Sequence, residues 1–255
     1  MLLKDVEKRV CGSEKNGTIY PLYDGFSLAN VPNTALEILG AKPVGKTLDK
    51  SITRHIDTKN IKKIVVLLLD GFGYDMFLKS LKYASFFRKA ADNGIFAPIT
   101  SGFPSTTAAS ITTINSGLTP KKHGLLEWTL YFDEIDQIIN TLPFTSLANE
   151  SLKGKENPKI LYSGITIYEF LSEKLSKIAK VIILTDSVIR DLFGNERQNK
   201  KFKSRIGNLL ILPYQGRSVW YQHKKHKESN IGVHGGLSRE EMLIPFVAVR
   251  LSEIL

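Results

Sequence analysis

An acidic residue and two glycines follow a run of aliphatic residues in the stretch VVLLLDGFG, residues 65–73. A carboxylate that comes directly after a buried strand lies at the edge of a sheet where ligands bind. Gly71 and Gly73 allow the backbone to turn beside Asp70 and leave room for a cation. An aspartate in this position can equally cap the helix that follows. The motif alone therefore leaves two interpretations of Asp70, a metal ligand and a helix cap.

A threonine pair occurs in the stretch TSGFPSTTAASITTINSGLTPKKHG, residues 100–124. The proline-containing turn places Thr106 and Thr107 at the start of a helix, where free N–H groups and the helix dipole favour a phosphate and an ionised hydroxyl. A threonine hydroxyl is a weak nucleophile at neutral pH and needs a base or a metal ion beside it. An isolated threonine pair is more commonly a helix cap or part of a polar surface.

Alternating strands and helices would have to position these residues. Strands are predicted from continuous or β-branched apolar runs at residues 62–70, 95–99, 180–185, 209–212 and 218–221 and within 240–250. Helices are predicted at residues 34–39, 74–93, 106–116 and 165–175. This alternation is typical of an α/β fold with a largely parallel central sheet. We predict a single α/β domain over residues 1–255, on which residues 1–60 pack as an N-terminal segment.

Three blocks of sequence carry a family resemblance when they are taken in order. They are DGFG after a strand, FPSTTAAS followed by SGLTPKKHG, and GVHGGLSREEMLIPFV near the end. Together they resemble the type I phosphodiesterase/nucleotide pyrophosphatase family of the alkaline phosphatase superfamily. Aligned on FPSTT, the family nucleophile falls on Thr107 rather than Thr106, and the last metal-binding histidine falls on His234. HGLLEWTLYF also resembles a bacterial and archaeal subgroup, with Glu127 where glycine is usual.

The resemblance implies an alkaline-phosphatase-like fold and a metal-dependent hydrolase of phosphodiester or pyrophosphate bonds. Two divalent metal ions, usually zinc, would bind the phosphate of a small phosphate ester or nucleotide. Thr107 would attack phosphorus and form a phospho-threonine intermediate, which water then hydrolyses. Asp70 would bind the metal ion nearest to Thr107, and His234 would bind the other.

Two metal-binding motifs of the family, Asp-x-x-x-His and Asp-His-Gly, are missing between the threonine block and His234. Residues 124–222 contain no histidine. The stretch KVIILTDS offers Asp186 as a weak fourth ligand, with Ser187 where the family has histidine. Alternatively, this segment matches a later part of the family fold, and the domain is shortened by the part that carries most ligands.

The other histidines are weaker candidates for metal ligands. His223 and His226 lie in the lysine-rich stretch QHKKHK, which would repel a cation. His123 is interpreted as a packing or turn residue, and His55 as a surface residue.

Composition narrows the class of protein only a little. The net charge of +10 fits a solvated lysine-rich surface, a phosphate-bearing substrate or nucleic acid, of which nucleic acid is the least expected. The single cysteine, Cys11, excludes an internal disulfide. No apolar run reaches the ~20 residues of a membrane span, and the N-terminus is too charged for a signal peptide. We therefore expect a cytoplasmic protein.

Two further functions compete with hydrolysis. The stretch GAKPVGKT, from Gly40 to Thr47, matches the P-loop pattern of nucleotide-binding proteins. A P-loop must follow a strand and open a helix, whereas a helix is predicted before Gly40. The missing ligands also allow a catalytically impaired or silent family member that binds a phosphate ligand. Loss of ATP binding on mutation of Lys46 would favour the P-loop, and metal content would separate the other two.

Overall fold

The computed structural model describes residues 1–61, 63–162, 164–175 and 236–254. Short helices and short strands occur along these ranges, and five helices precede the first strand. The helices are α1 (Lys4–Cys11), α2 (Asn30–Ile38), α3 (Lys50–Thr53), α4 (Tyr74–Ser80), α5 (Ser85–Asn93), α6 (Thr107–Ser116), α7 (Pro120–His123), α8 (Ile167–Leu175) and α9 (Arg239–Met242). The strands are β1 (Ile95–Thr100), β2 (Thr129–Phe132), β3 (Gln137–Asn140), β4 (Thr145–Ser146) and β5 (Leu243–Ala248). Single 3-10 turns occur at Pro158–Ile160 and Leu251–Glu253.

The strands of the described residues form two small sheets, and both are antiparallel. β1 pairs with β5 from Ile95 opposite Ala248 to Thr100 opposite Leu243. β3 lies between β2 and β4 in the second sheet. The mixture of helices and strands is as predicted, but the largely parallel central sheet is not present among the described residues. Apolar runs in sequence do not specify which strands pair or in which direction, because pairing depends on distant segments.

The main core lies between β1 and β5 on one side and α1, α4 and α5 on the other. Val6 and Val10 are four residues apart and therefore lie on one face of α1, which packs on β1. The backbone of Leu3 continues this contact, since its N–H donates to the carbonyl of Phe96 at 3.0 Å. Residues 1–56 thus contribute directly to the core that surrounds β1. The single-domain boundary at 1–255 stays a prediction.

The predicted strand at residues 62–70 is wrong for residues 63–70, which form no strand with the other described residues. Three of its apolar side chains are more than a third exposed, at 61% for Val65, 41% for Val66 and 39% for Leu68. An aliphatic run indicates that burial would be favourable, but a strand also needs a neighbouring backbone to accept and donate hydrogen bonds. No described segment supplies that neighbour.

The predicted helix at residues 74–93 is divided into α4 and α5. The break allows Phe77 and Phe87 to contact each other with ring centroids 6.0 Å apart. In one continuous helix these residues would be separated by about 15 Å along the axis, so they could not touch. Packing of Phe77 against both Phe87 and Phe96 therefore overrides the local helical pattern.

Most of the other predicted elements of the described residues are confirmed with small shifts. β1, α6, α8 and β5 agree with their predicted positions to within a few residues, and α2 begins four residues before the predicted start. The hairpin sheet of β2, β3 and β4 was not predicted. The strands predicted at residues 180–185, 209–212 and 218–221 lie outside the described residues.

Candidate active site

The helix α6 begins at the threonine pair, and its cap uses the first of the two hydroxyls. Thr106 Oγ1 accepts a hydrogen bond from the Ala109 N–H at 3.3 Å and donates one to the Leu126 carbonyl at 2.7 Å. The Thr106 side chain is buried. At the other end, Gly117 adopts a left-handed conformation with φ of 70°, which ends the helix. Thr106 therefore has a structural role as the N-cap.

Thr107 is the first residue of α6, and its half-exposed side chain faces Asp70. Thr107 Oγ1 lies 3.1 Å from Asp70 Oδ2 and 3.3 Å from Asp70 Oδ1, so the hydroxyl donates to the carboxylate. These residues are 37 positions apart in the sequence. The structure brings together the two residues that the sequence predicted as nucleophile and nearest metal ligand. Asp70 does not cap α4, because Gly73 is the N-cap of that helix.

The loop that carries Asp70 is held by two glycines. Gly71 adopts a left-handed conformation with φ of 65°, which a side chain would disfavour. A Cβ atom on Gly73 would lie 2.8 Å from the carbonyl oxygen of Glu240 in α9. Glycine at position 73 therefore permits close contact between the loop and α9.

The turn before α6 also contacts the segment that follows His234. Ser105 Oγ donates to the carbonyl of Gly236 at 3.2 Å, and the Gly236 N–H donates to Glu241 Oε1 at 2.9 Å. Glu241 also forms a capping box with Ser238 at the start of α9. Gly236 is therefore fixed between the threonine turn and α9.

His123 is buried at the end of α7 and is held through both ring nitrogens. Its Nδ1 accepts a hydrogen bond from the Leu125 N–H at 3.1 Å, and its Nε2 lies 3.0 Å from Thr113 Oγ1. Burial lowers the pKa of His123 from 6.5 to about 4, although a backbone hydrogen bond with Ala109 opposes this change. The turn and packing contacts predicted for His123 are present, and both ring nitrogens already have partners.

Acidification is expected to destabilise the fold through His123. The folded state holds this side chain neutral down to about pH 4, whereas the unfolded chain binds a proton near pH 6.5. The contribution of neutral His123 to the free energy of unfolding is therefore fully present above about pH 6.5. It is lost as the pH falls toward 4, which lowers the free energy of unfolding by up to about 3 kcal/mol. Urea unfolding of the wild type at several pH values measures this loss.

The variant His123→Asn isolates the contribution of His123. It removes the titrating ring, so its free energy of unfolding should be lower near neutral pH and should change less between pH 6.5 and 4. His55→Asn is the matched control, because His55 is exposed and its substitution should leave the wild-type pH dependence intact. Equal pH dependence in the wild type and His123→Asn would contradict the assignment.

The stretch from Gly40 to Thr47 does not have the arrangement of a P-loop. It follows α2 rather than a strand, and no helix begins until α3 at Lys50. The Gly45 N–H donates to Asn33 Oδ1 at 2.6 Å, and Lys46 pairs with Asp24 at the surface. This geometry does not support phosphate binding by the loop.

Comparison with known proteins gave one family match, which covers residues 64–147. The matching description is type I phosphodiesterase / nucleotide pyrophosphatase, and the matched third of the chain contains both Asp70 and Thr107. This third of the chain is similar to that family. The match confirms the resemblance over these residues and indicates a phosphodiesterase/pyrophosphatase-type hydrolase at the level of the family. Searches of curated proteins and of solved structures found no match.

Of the four predicted metal ligands, the structure describes Asp70 and Thr107. Within the described ranges, no group of three or more His, Cys, Asp or Glu side chains could hold a metal ion. Asp70 and Thr107 offer carboxylate and hydroxyl oxygens at one point, which suits part of a divalent cation site. His234 and Asp186 lie outside the described residues, as do His223 and His226. Further ligands would have to come from there.

Among the described helices, none combines the length and the apolar character that crossing a membrane requires.

Proposed function

We propose that this family member hydrolyses phosphodiester or pyrophosphate bonds in a small phosphate ester or nucleotide, with Thr107 as its nucleophile. The observation that carries the proposal is the hydrogen bond from Thr107 Oγ1 to Asp70 at 3.1 Å. An exposed carboxylate beside a half-exposed hydroxyl at a helix N-terminus is suited to nucleophilic attack on an anion. The commitment of the Thr106 hydroxyl to the helix cap supports the choice of Thr107.

Thr107 and Asp70 would act together in the first step. Asp70 orients the hydroxyl and takes up its proton as Thr107 Oγ1 forms a bond with phosphorus. The bond between phosphorus and the leaving oxygen breaks, and the leaving group departs with its electron pair. The N–H groups of Thr107 and Ala108, which begin α6, would stabilise the negative charge on the phosphoryl oxygens.

Water would complete the reaction in the second step. Its oxygen forms a bond with phosphorus, the bond between phosphorus and Thr107 Oγ1 breaks, and the water releases one proton to solvent while Oγ1 takes up another. Asp70 is placed to supply this proton, because it lies within hydrogen-bond distance of Oγ1.

The proposal includes two divalent metal ions, with zinc the first candidate. Asp70 and Thr107 would hold one ion and His234 the other, with Asp186 as a weak fourth ligand. Such ions lower the pKa of a bound hydroxyl and offset charge on the phosphoryl group. His234 is included because GVHGGLS resembles the segment that carries the family's last metal-binding histidine.

Metal analysis of the purified full chain tests this function. We expect at least about one tightly bound zinc or manganese ion per chain, and hydrolysis of bis-p-nitrophenyl phosphate that falls on treatment with a chelator and returns with the metal. His234→Ala should lower both metal content and turnover, because a lost ligand weakens binding. His55→Ala is the matched control and should change neither.

A second candidate is a catalytically silent member that binds a phosphate ligand. The absence of the Asp-x-x-x-His and Asp-His-Gly motifs from the sequence favours it. Less than about one tightly bound metal ion per chain, together with no turnover of bis-p-nitrophenyl phosphate or of a nucleotide, would support this candidate over hydrolysis.

A further inference from the structure

The segment from Leu22 to Leu28 is fastened to the end of β1, directly before the threonine turn. The Leu22 N–H donates to Thr100 Oγ1 at 2.9 Å, and the Leu28 N–H donates to the Thr100 carbonyl at 2.8 Å. The Thr100 N–H donates in turn to the carbonyl of Phe26 at 2.8 Å. Thr100 is buried, so these bonds are protected from water. The segment therefore provides a fixed support beside the turn.

Tyr23 extends from this segment to the turn itself. The Phe103 N–H donates a hydrogen bond to the Tyr23 hydroxyl oxygen at 3.0 Å, although the two residues are 80 positions apart. The backbone of Tyr23 is also held, because Asn30 Nδ2 donates to its carbonyl at 2.9 Å. Burial raises the pKa of Tyr23, although the bond from Phe103 opposes this, so the phenol stays neutral near pH 7.

Pro120 packs against the turn beside the Tyr23 hydroxyl. A Cβ atom on Gly102 would lie 3.2 Å from Pro120 Cγ and 3.8 Å from the Tyr23 hydroxyl. Little free space therefore remains around Gly102 next to the contact between Tyr23 and Phe103.

The position of this turn determines where α6 begins. Phe103 precedes Thr107 by four residues, and the Thr106 cap connects the end of the turn rigidly to the first turn of the helix. A displacement at Phe103 would therefore move Thr107 relative to Asp70, which comes from a separate loop. Misplacement of a reacting group by about 1 Å can cost about 100-fold in rate.

We propose that Tyr23 is a positioning residue for Thr107, acting through its hydrogen bond with the backbone of Phe103. This inference rests on the proposed function, in which Thr107 is the nucleophile. Tyr23 itself is not placed in contact with substrate. Its hydroxyl holds the turn so that Thr107 Oγ1 keeps its distance from the Asp70 carboxylate.

The variant Tyr23→Phe tests this role, because it removes the hydroxyl and keeps the ring. We expect kcat for bis-p-nitrophenyl phosphate to fall about 10-fold while KM changes less than about twofold, since the lost contact supports the transition state rather than substrate binding. Tyr168→Phe is the matched control. Its half-buried hydroxyl donates to Asn115 Oδ1 at 3.1 Å near the other end of α6. Both variants should melt within a few degrees of the wild type, but only Tyr23→Phe should lose kcat.

Amide hydrogen exchange gives a readout that does not depend on activity. Exchange of the Phe103 amide, followed by NMR, should be about 10-fold faster or more in Tyr23→Phe and unchanged in Tyr168→Phe. Faster exchange with a lower kcat supports the proposal. Unchanged exchange overturns it, and so does faster exchange with a wild-type kcat.

If the wild-type chain shows no turnover, the proposed function is refuted, but the positioning role of Tyr23 can still be tested. In that case, the exchange of the Ala109 amide, which donates to Thr106 Oγ1 at the start of α6, decides the positioning claim. Faster exchange at both Phe103 and Ala109 in Tyr23→Phe supports it. A change confined to Phe103 overturns it.

Discussion

The variant Thr107→Ala is expected to lose about 1,000-fold or more of the turnover of bis-p-nitrophenyl phosphate, because it removes the atom that would bond to phosphorus. Its fold should remain intact, with a free energy of unfolding within about 0.5 kcal/mol of the wild type. The Thr107 side chain is half-exposed, and the cap of α6 is supplied by Thr106. Steady-state kinetics and urea unfolding of the two proteins measure both quantities.

Thr106→Ala is the matched control for this variant. It loses the cap bond to the Ala109 N–H and the bond to the Leu126 carbonyl, so we expect it to be destabilised by about 1–2 kcal/mol. It keeps the nucleophile, so its turnover should fall far less than that of Thr107→Ala, although loss of the cap loosens the start of α6. Thr107→Ser keeps a hydroxyl and should retain measurable activity. Full turnover by Thr107→Ala would refute the assignment of the nucleophile.

Mass spectrometry offers a direct view of the same residue. Rapid quenching during turnover of bis-p-nitrophenyl phosphate should yield a peptide from residues 100–124 that carries one added p-nitrophenyl-phosphoryl group, because the first step releases only one of the two p-nitrophenolates. The modification should be absent from Thr107→Ala and present in Thr106→Ala. Phosphorylation of Thr106 in the wild type would contradict the geometry, since that hydroxyl is buried and already bonded.

The variant Asp70→Asn is expected to lower kcat by about 100-fold or more. Asparagine keeps the shape of the side chain, and its amide oxygen can still accept a hydrogen bond from Thr107 Oγ1. It cannot take up the proton of the hydroxyl, and it lacks the negative charge that would attract a metal ion. Stability should change little, because Asp70 is exposed.

Asp92→Asn is the control for this charge change. Asp92 is an exposed carboxylate on α5, so its neutralisation alters the net charge equally without touching the site. Kinetics and metal titration of both variants separate the effect of losing the carboxylate at the site from the effect of the changed net charge. A wild-type kcat in Asp70→Asn would exclude Asp70 from the reaction, and a wild-type metal affinity would exclude it as a ligand.

The local elements of the site were predictable because their signals are local. The order of FPSTT and the small residues that follow it predicted the helix at residues 106–116, and the structure begins α6 at Thr107 with Thr106 as its cap. Capping depends on residues within one turn of each other, so residues close together in the sequence are enough to predict it. The choice of Thr107 over Thr106 came from the family alignment, and the different bonds of the two hydroxyls agree with it.

The non-local parts of the site were not predictable from the sequence. The bond between Tyr23 and Phe103 spans 80 positions, and no motif indicated it. A tyrosine followed by aspartate and glycine gives a turn signal, but the target of its hydroxyl depends on where β1 ends. The contact of Ser105 with Gly236 was also not predictable, because it joins residues 131 positions apart.

By itself, the sequence determined the family resemblance, the two residues that meet at the candidate site and most of the local elements. These follow from short motifs and from spacing within single helices or strands. Only the tertiary structure decided that β1 pairs antiparallel with β5, that residues 63–70 form no strand with the described chain, and that the helix after Asp70 is broken. The physical reason is that strand pairing and aromatic packing depend on which distant surfaces meet, and a linear pattern of apolar residues does not encode that choice.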